Sequence, residues 1–73
     1  MTESDLCLEI GNRIKRLRKA KGLSTLDLGM MIYVAQATIW RWERAERYPS
    51  VYNLVLLAQA LGVSIQYLIT GEG

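Results

Sequence analysis

Punctuation constrains this chain more than any other feature. Gly22, Pro49 and Gly62 are natural stops, and Ser24, Ser50 and Ser64 sit beside them as candidate helix N-caps. Between the stops, apolar residues recur at helical spacing, and no segment alternates as a strand would. The pattern predicts five helices, at about Asp5 to Lys21, Thr25 to Ile32, Gln36 to Arg44 or Ala45, Val51 to Leu61, and Ile65 to Ile69. In the first, Leu6, Ile10, Ile14 and Leu17 form a narrow stripe bordered by Arg13 and Arg18, while Lys15, Arg16 and Lys19 point away. Its acids come early and its cations late, which suits the helix dipole. Ser24 followed by Asp27 is an acidic near-variant of the capping box. The second helix then buries Leu28 and parts of Leu26 and Met31, and a tight connection through Tyr33, Val34 and Ala35 leads into the third. Five short helices in 73 residues imply a compact all-α fold, a single domain over residues 1–73.

Composition narrows the chemistry. Apolar residues make up 51% of the chain, yet a core of this size is marginal alone, and oligomerisation is a common remedy. Histidine is absent, which removes an imidazole base and a His-ligated metal. The single cysteine, Cys7, supports neither an internal disulfide nor a Cys-cluster metal site; it lies close to the first apolar stripe and reads as a small core residue. The scattered acids have no nearby base or nucleophile, and no phosphate-cradling glycine loop is present, so neither an enzyme, a cofactor nor a small-molecule ligand is expected. No apolar run approaches the ~18 residues of a membrane span. The N-terminus lacks the basic start and apolar core of a signal peptide, so a cytoplasmic location is the default expectation.

The net charge of +2 says little, but its distribution says more. Arg13 to Lys21 holds six of the nine cations and no acid, and Arg41, Arg44 and Arg47 form a second group. A polyanion responds to such local clustering. Residues 36–43 read QATIWRWE, which on a helix sets Ile39 and Trp42 on one side and Ala37, Trp40, Arg41 and Arg44 on the other. A short helix with two large apolar anchors, a basic outer face and an amide at its start suits insertion into a DNA groove.

Three blocks in order, IGNRIKRLRKAKGLS (10–24), ATIWRWERAERYPS (37–50) and LAQALGVSIQYLITGE (57–72), make the chain resemble the lambda-repressor/Cro-like helix-turn-helix family of the xenobiotic-response-element type. The resemblance covers nearly the whole chain. It implies five helices, a helix-turn-helix over about residues 25–44, and a third helix lying in the DNA major groove. It implies that Gln36 pairs with adenine, that Ala37 and Thr38 meet thymine methyls, and that Arg41 reads guanine or holds a phosphate. Arg44 and Arg47 would run along the DNA backbone, and Ser24 and Thr25 would grip a phosphate at the second helix's N-terminus, although Ser24 also suits a purely capping role. Thr25 stands where the family usually has Gln and is too short to copy all of its contacts. The family pairs an Arg and a Glu at Arg18 and Glu43 in a structural salt bridge, and breaking a buried one costs about 3–5 kcal/mol.

Other departures from the family concern the backbone and one side chain. Tyr33 stands where the turn prefers Gly, so the turn is expected either to be reshaped or to pack the ring on a neighbour. Ala35 replaces a capping Ser, Gly29 replaces a packed Ala, and Ala45 replaces the Gly after the third helix, which would let that helix extend. Trp40 puts a large indole on the groove face; it contacts thymine methyls or sugar edges as a base-contact candidate, covers an apolar patch or partner chain, or obstructs docking.

The expected function is that of a prokaryotic or phage-type transcriptional regulator, a repressor by preference, binding a double-stranded DNA operator as a homodimer. Leu61, Val63, Ile65, Tyr67, Leu68 and Ile69 are the expected dimer surface, with packing of the fifth helix onto its own core as the alternative. No sensing domain is expected after the fifth helix, and Met1 suggests a true start, although one domain of a longer product also fits. An antitoxin, or a protein-binding adaptor with a degenerate helix-turn-helix, would bring in a protein partner.

Overall fold

The computed structural model describes residues 1–73, folded as α1 (Glu3–Ala20), α2 (Thr25–Ile32), α3 (Gln36–Glu43), α4 (Val51–Leu61) and α5 (Ile65–Thr70). There is no strand, and no helix is long and apolar enough to cross a membrane. Side-chain caps start four of the five helices. Ser24 and Asp27 close a reciprocal capping box on α2, and Ser50 and Ser64 accept the amides of Asn53 and Tyr67 on α4 and α5. α1 begins earlier than its apolar stripe suggested, because Thr2 and Asp5 form a second capping box. In both boxes the aspartate carboxylate accepts the cap residue's backbone N–H, and this bond first, then the neighbouring cap hydroxyl, holds the Asp5 and Asp27 carboxyls below their ordinary pKa. Ala35 gives α3 no such cap.

Each helix contributes to one core: Ile10 and Ile14 from α1, Leu28 and Ile32 from α2, Ile39 and Trp42 from α3, Leu57, Ala58 and Leu61 from α4, and Leu68 from α5. Cys7 is half-buried beside it, in a small apolar cleft with Ile10, Trp42 and Leu54. Two glycines permit close backbone approach. A Cβ on Gly11 would stand 2.6 Å from the Trp42 carbonyl oxygen, and one on Gly29 would stand 2.7 Å from that of Val34. Glycine at position 29 is therefore a requirement of this α2–α3 turn, where an alanine would collide with it.

Tyr33 takes the left-handed conformation, φ 63° and ψ 40°, and is almost fully exposed. The turn is not reshaped and the ring packs on nothing; the turn geometry prevails over the residue. Ala45 also has a positive φ, 58°, and α3 stops at Glu43 instead of extending.

The expected dimer surface needs correction. Leu61 and Leu68 are core residues, at 2% and 0% exposure, and Val63 and Ile69 pack against that core. The Tyr67 hydroxyl accepts from Arg16 Nη2 at 3.1 Å. Of the six, Ile65 alone is exposed. These side chains complete the core, and Arg13 Nη1 adds hydrogen bonds to the Leu68 and Ile69 carbonyls at 2.8 and 3.1 Å that tie the end of α5 to α1.

Candidate nucleic-acid interface

α3 is anchored through Ile39, Trp42 and Glu43, all buried. The Glu43 carboxylate accepts from Arg18 Nε at 2.6 Å and Nη2 at 3.0 Å, and Arg18 Nη1 also donates to the Leu23 carbonyl at 2.7 Å. The hydrogen bonds to Glu43 raise the Arg18 pKa against the opposing effect of burial. A bidentate pair with the third nitrogen also engaged leaves no orphaned charge beneath the helix. It also takes the one acid on α3 away from the outer surface.

The opposite side of α3 is open. Gln36, Ala37, Trp40, Arg41 and Arg44 are exposed, and Thr38 is half-buried at the margin. Gln36 Nε2 donates to Thr25 Oγ1 at 3.0 Å, which fixes the amide across the helix-turn-helix while its carbonyl oxygen stays free. Thr25 thus supplies an acceptor for Gln36, and Ser24 is occupied as a cap.

A polar depression lies along each flank of this face. One, between α1 and α3, is walled by Asn12, Lys15, Lys19, Thr25, Trp40 and Arg44, with Arg18 and Glu43 also lining it. The other gathers Thr38, Arg41 and Arg47 with Ser50 and Asn53 from the start of α4. Cations therefore border the exposed helix on both sides. The sequence pattern marks Lys15 and Lys19 as part of an outward cationic cluster and Ser50 as an N-cap, but assigns none of them, nor Asn53, to a place beside α3. Lys15 and Lys19 are one turn apart on the outer side of α1, a visible spacing, but which element faces them is a tertiary fact.

Trp40 and Arg44 are one turn apart on α3, and the Arg44 guanidinium lies over the indole, 4.4 Å from the ring centroid. Arg44 Nε also donates to Glu46 at 2.7 Å. Arg41 and Arg47 have no side-chain hydrogen bond in the protein.

The model of a family described as helix-turn-helix matches residues 14–68. Repressor protein C2 of Salmonella phage P22 is 38% identical over 63 residues, 86% of this chain and 29% of that protein. The transcriptional activator BcrR of Enterococcus faecalis is 29% identical over 65 residues, 89% of this chain and 32% of that protein. The chain thus spans about a third of the length of these two relatives. Among solved structures, the P22 c2 repressor in complex with a synthetic operator superposes with a TM-score of 0.83 at 38% identity, covering 86% of this chain and 96% of the other. The biofilm regulator SinR in complex with DNA gives a TM-score of 0.76 at 37% identity, covering 81% and 95%.

Proposed function

The chain belongs to the helix-turn-helix family of lambda-repressor-like transcriptional regulators, and from that membership we propose that it binds operator DNA as a homodimer, with α3 in the major groove. In this reading Gln36, steadied by Thr25, pairs with adenine, Ala37 and Thr38 meet thymine methyls, and Arg41 reaches guanine. Arg44, Arg47 and the N-terminus of α2 at Ser24 and Thr25 hold phosphates. The observation that supports this most is the two-sidedness of α3: its one acid is neutralised inward by Arg18, while its outer face carries an amide, a methyl and an arginine between two cation-lined flanks. Relatives bound to DNA in solved structures add to it.

For the homodimer, Val51, Tyr52 and Val55 on α4 together with Ile65 at the start of α5 are exposed apolar groups away from the outer face of α3, among other exposed apolar side chains such as Met30 and Met31. The regulator acts as a repressor by occupying its operator. Selection of duplexes from a random pool, followed by salt titration of the winners, tests the proposal. A half-site repeated about one helical turn apart is expected, with log K falling against log salt by about 0.9 per phosphate contacted. Failure to bind any duplex at low salt refutes the DNA reading, and a strict monomer in sedimentation at high micromolar concentration refutes the dimer.

A further inference from the structure

Trp40 is the one large side chain on the outer face of α3 that base reading does not call for. Its indole is about half exposed, and the Arg44 guanidinium carbon sits over it, 4.4 Å from the ring centroid. Glu46 takes Arg44 at Nε, and neither terminal nitrogen of the guanidinium has a protein partner. The guanidinium is thus held over the ring and at Nε by the carboxylate, while its two terminal nitrogens stay open as donors. A free arginine loses rotamer entropy when it grips an anion; one already held on a surface loses less. The same indole walls the depression into which Lys15 and Lys19 of α1 project. The acid lining that depression, Glu43, is already engaged by two hydrogen bonds from Arg18, and Glu46 pairs with Arg44, so Lys15 and Lys19 supply the uncompensated positive charge.

We propose that this α1–α3 depression takes a backbone phosphodiester of the duplex, with Lys15, Lys19 and Arg44 as its donors and Trp40 as the positioning residue that holds Arg44. The proposal rests on the DNA-binding reading above and adds α1 to the footprint. Trp40 then acts through Arg44 and reads no base.

The test uses the full chain and a duplex selected from the random pool, with affinity measured across a series of salt concentrations. Lys15→Ala/Lys19→Ala is expected to lower the salt slope by about 1 or more, and Arg44→Ala by about 1, without changing the ranking of duplex sequences. Trp40→Ala is expected to weaken binding about two- to fivefold, the scale of an exposed cation–π contact, and Trp40→Phe to recover part of the loss. In the Arg44→Ala background Trp40→Ala is expected to add nothing. An unchanged slope in the lysine variant overturns the proposal. So does a Trp40→Ala loss that persists without Arg44, or a changed preference at one base pair, either of which makes Trp40 a direct reader. If the unaltered chain binds no duplex, the underlying DNA reading falls first, and the two failures are thereby distinguished. Thermal melts of each variant monitor the fold.

Discussion

Tyr33→Gly should stabilise this protein, although it deletes the largest side chain in the helix-turn-helix connection. Tyr33 holds φ 63° and ψ 40°, and its side chain is 93% exposed. A left-handed conformation costs an L-residue with a Cβ about 1–2 kcal/mol. Glycine avoids that cost but brings about 0.5–1 kcal/mol of extra unfolded-chain entropy. The difference is a gain of about 0.5–1 kcal/mol, because the exposed ring has almost no packing to lose. For a domain of this length about 1 kcal/mol moves Tm by about 4–8 °C, so a rise of about 2–8 °C is expected in a thermal melt. Tyr33→Ala is the control: it removes the ring and keeps the strained backbone, and Tm should stay within about 2–4 °C of the parent. Tyr33→Asn should fall between, since asparagine tolerates this region better than most residues. If alanine stabilises as much as glycine, the ring is the source of the cost and the backbone argument is wrong. If glycine fails to stabilise at all, the ring makes a contact that its exposure conceals.

Glu43→Gln should cost about 3–5 kcal/mol by leaving the buried Arg18 charge partly unpaired, read as a large drop in the urea midpoint, whereas replacing both partners with apolar residues should cost less. Gly29→Ala improves helix propensity yet should destabilise by about 1–3 kcal/mol, because the new Cβ meets the Val34 carbonyl; calorimetry decides the sign. Acid should weaken the fold through Asp5 and Asp27. Their folded pKa lies below the unfolded one, so their contribution is complete above about pH 4 and disappears as pH falls through the lower folded value. Asp5→Asn/Asp27→Asn should start less stable at neutral pH and lose less between pH 4 and the acid limit, as followed by urea melts at each pH.

What could be read from the sequence was local. Ser24 reaches Asp27 and Ser64 reaches Tyr67 across three residues, so the starts of α2 and α5 are written within one turn of chain. The division of α3 into anchors and outer face is likewise a matter of helical period. α1 starts at Glu3, ahead of the expected Asp5, because its capping box at Thr2 and Asp5 precedes the apolar stripe from which the expected start is read. The packing of α5 rests on contacts distant in sequence, Leu68 in the shared core and Arg13 meeting carbonyls 55 and 56 residues away, which no local pattern encodes. Leu61 and Leu68 therefore looked like surplus apolar area for a partner when they complete the core. The pairing of Trp40 with Arg44 had a visible i, i+4 spacing, but the sequence left open whether the arginine would lie back on the ring or extend outward.

The placement of α3 explains how its outer face can carry so unusual a residue as Trp40. On the inner side, the α1 backbone at Gly11 approaches the Trp42 and Glu43 carbonyls so closely that a Cβ would be 2.6 and 2.8 Å from them. At the other end, Gly29 brings the α2 backbone against the turn at Val34. Between these two approaches, Ile39 and Trp42 fill the core and Arg18 grips Glu43. Every one of these restraints acts on the backbone or the buried side of α3. Substituting an outer residue changes none of them, so the helix keeps its orientation whatever its outer face presents. Under the proposed reading, changes to Gln36, Ala37 or Arg41 should accordingly alter which duplex is bound and changes to Trp40 only how tightly, while changes to Gly11, Arg18 or Glu43 should be felt as loss of the fold itself.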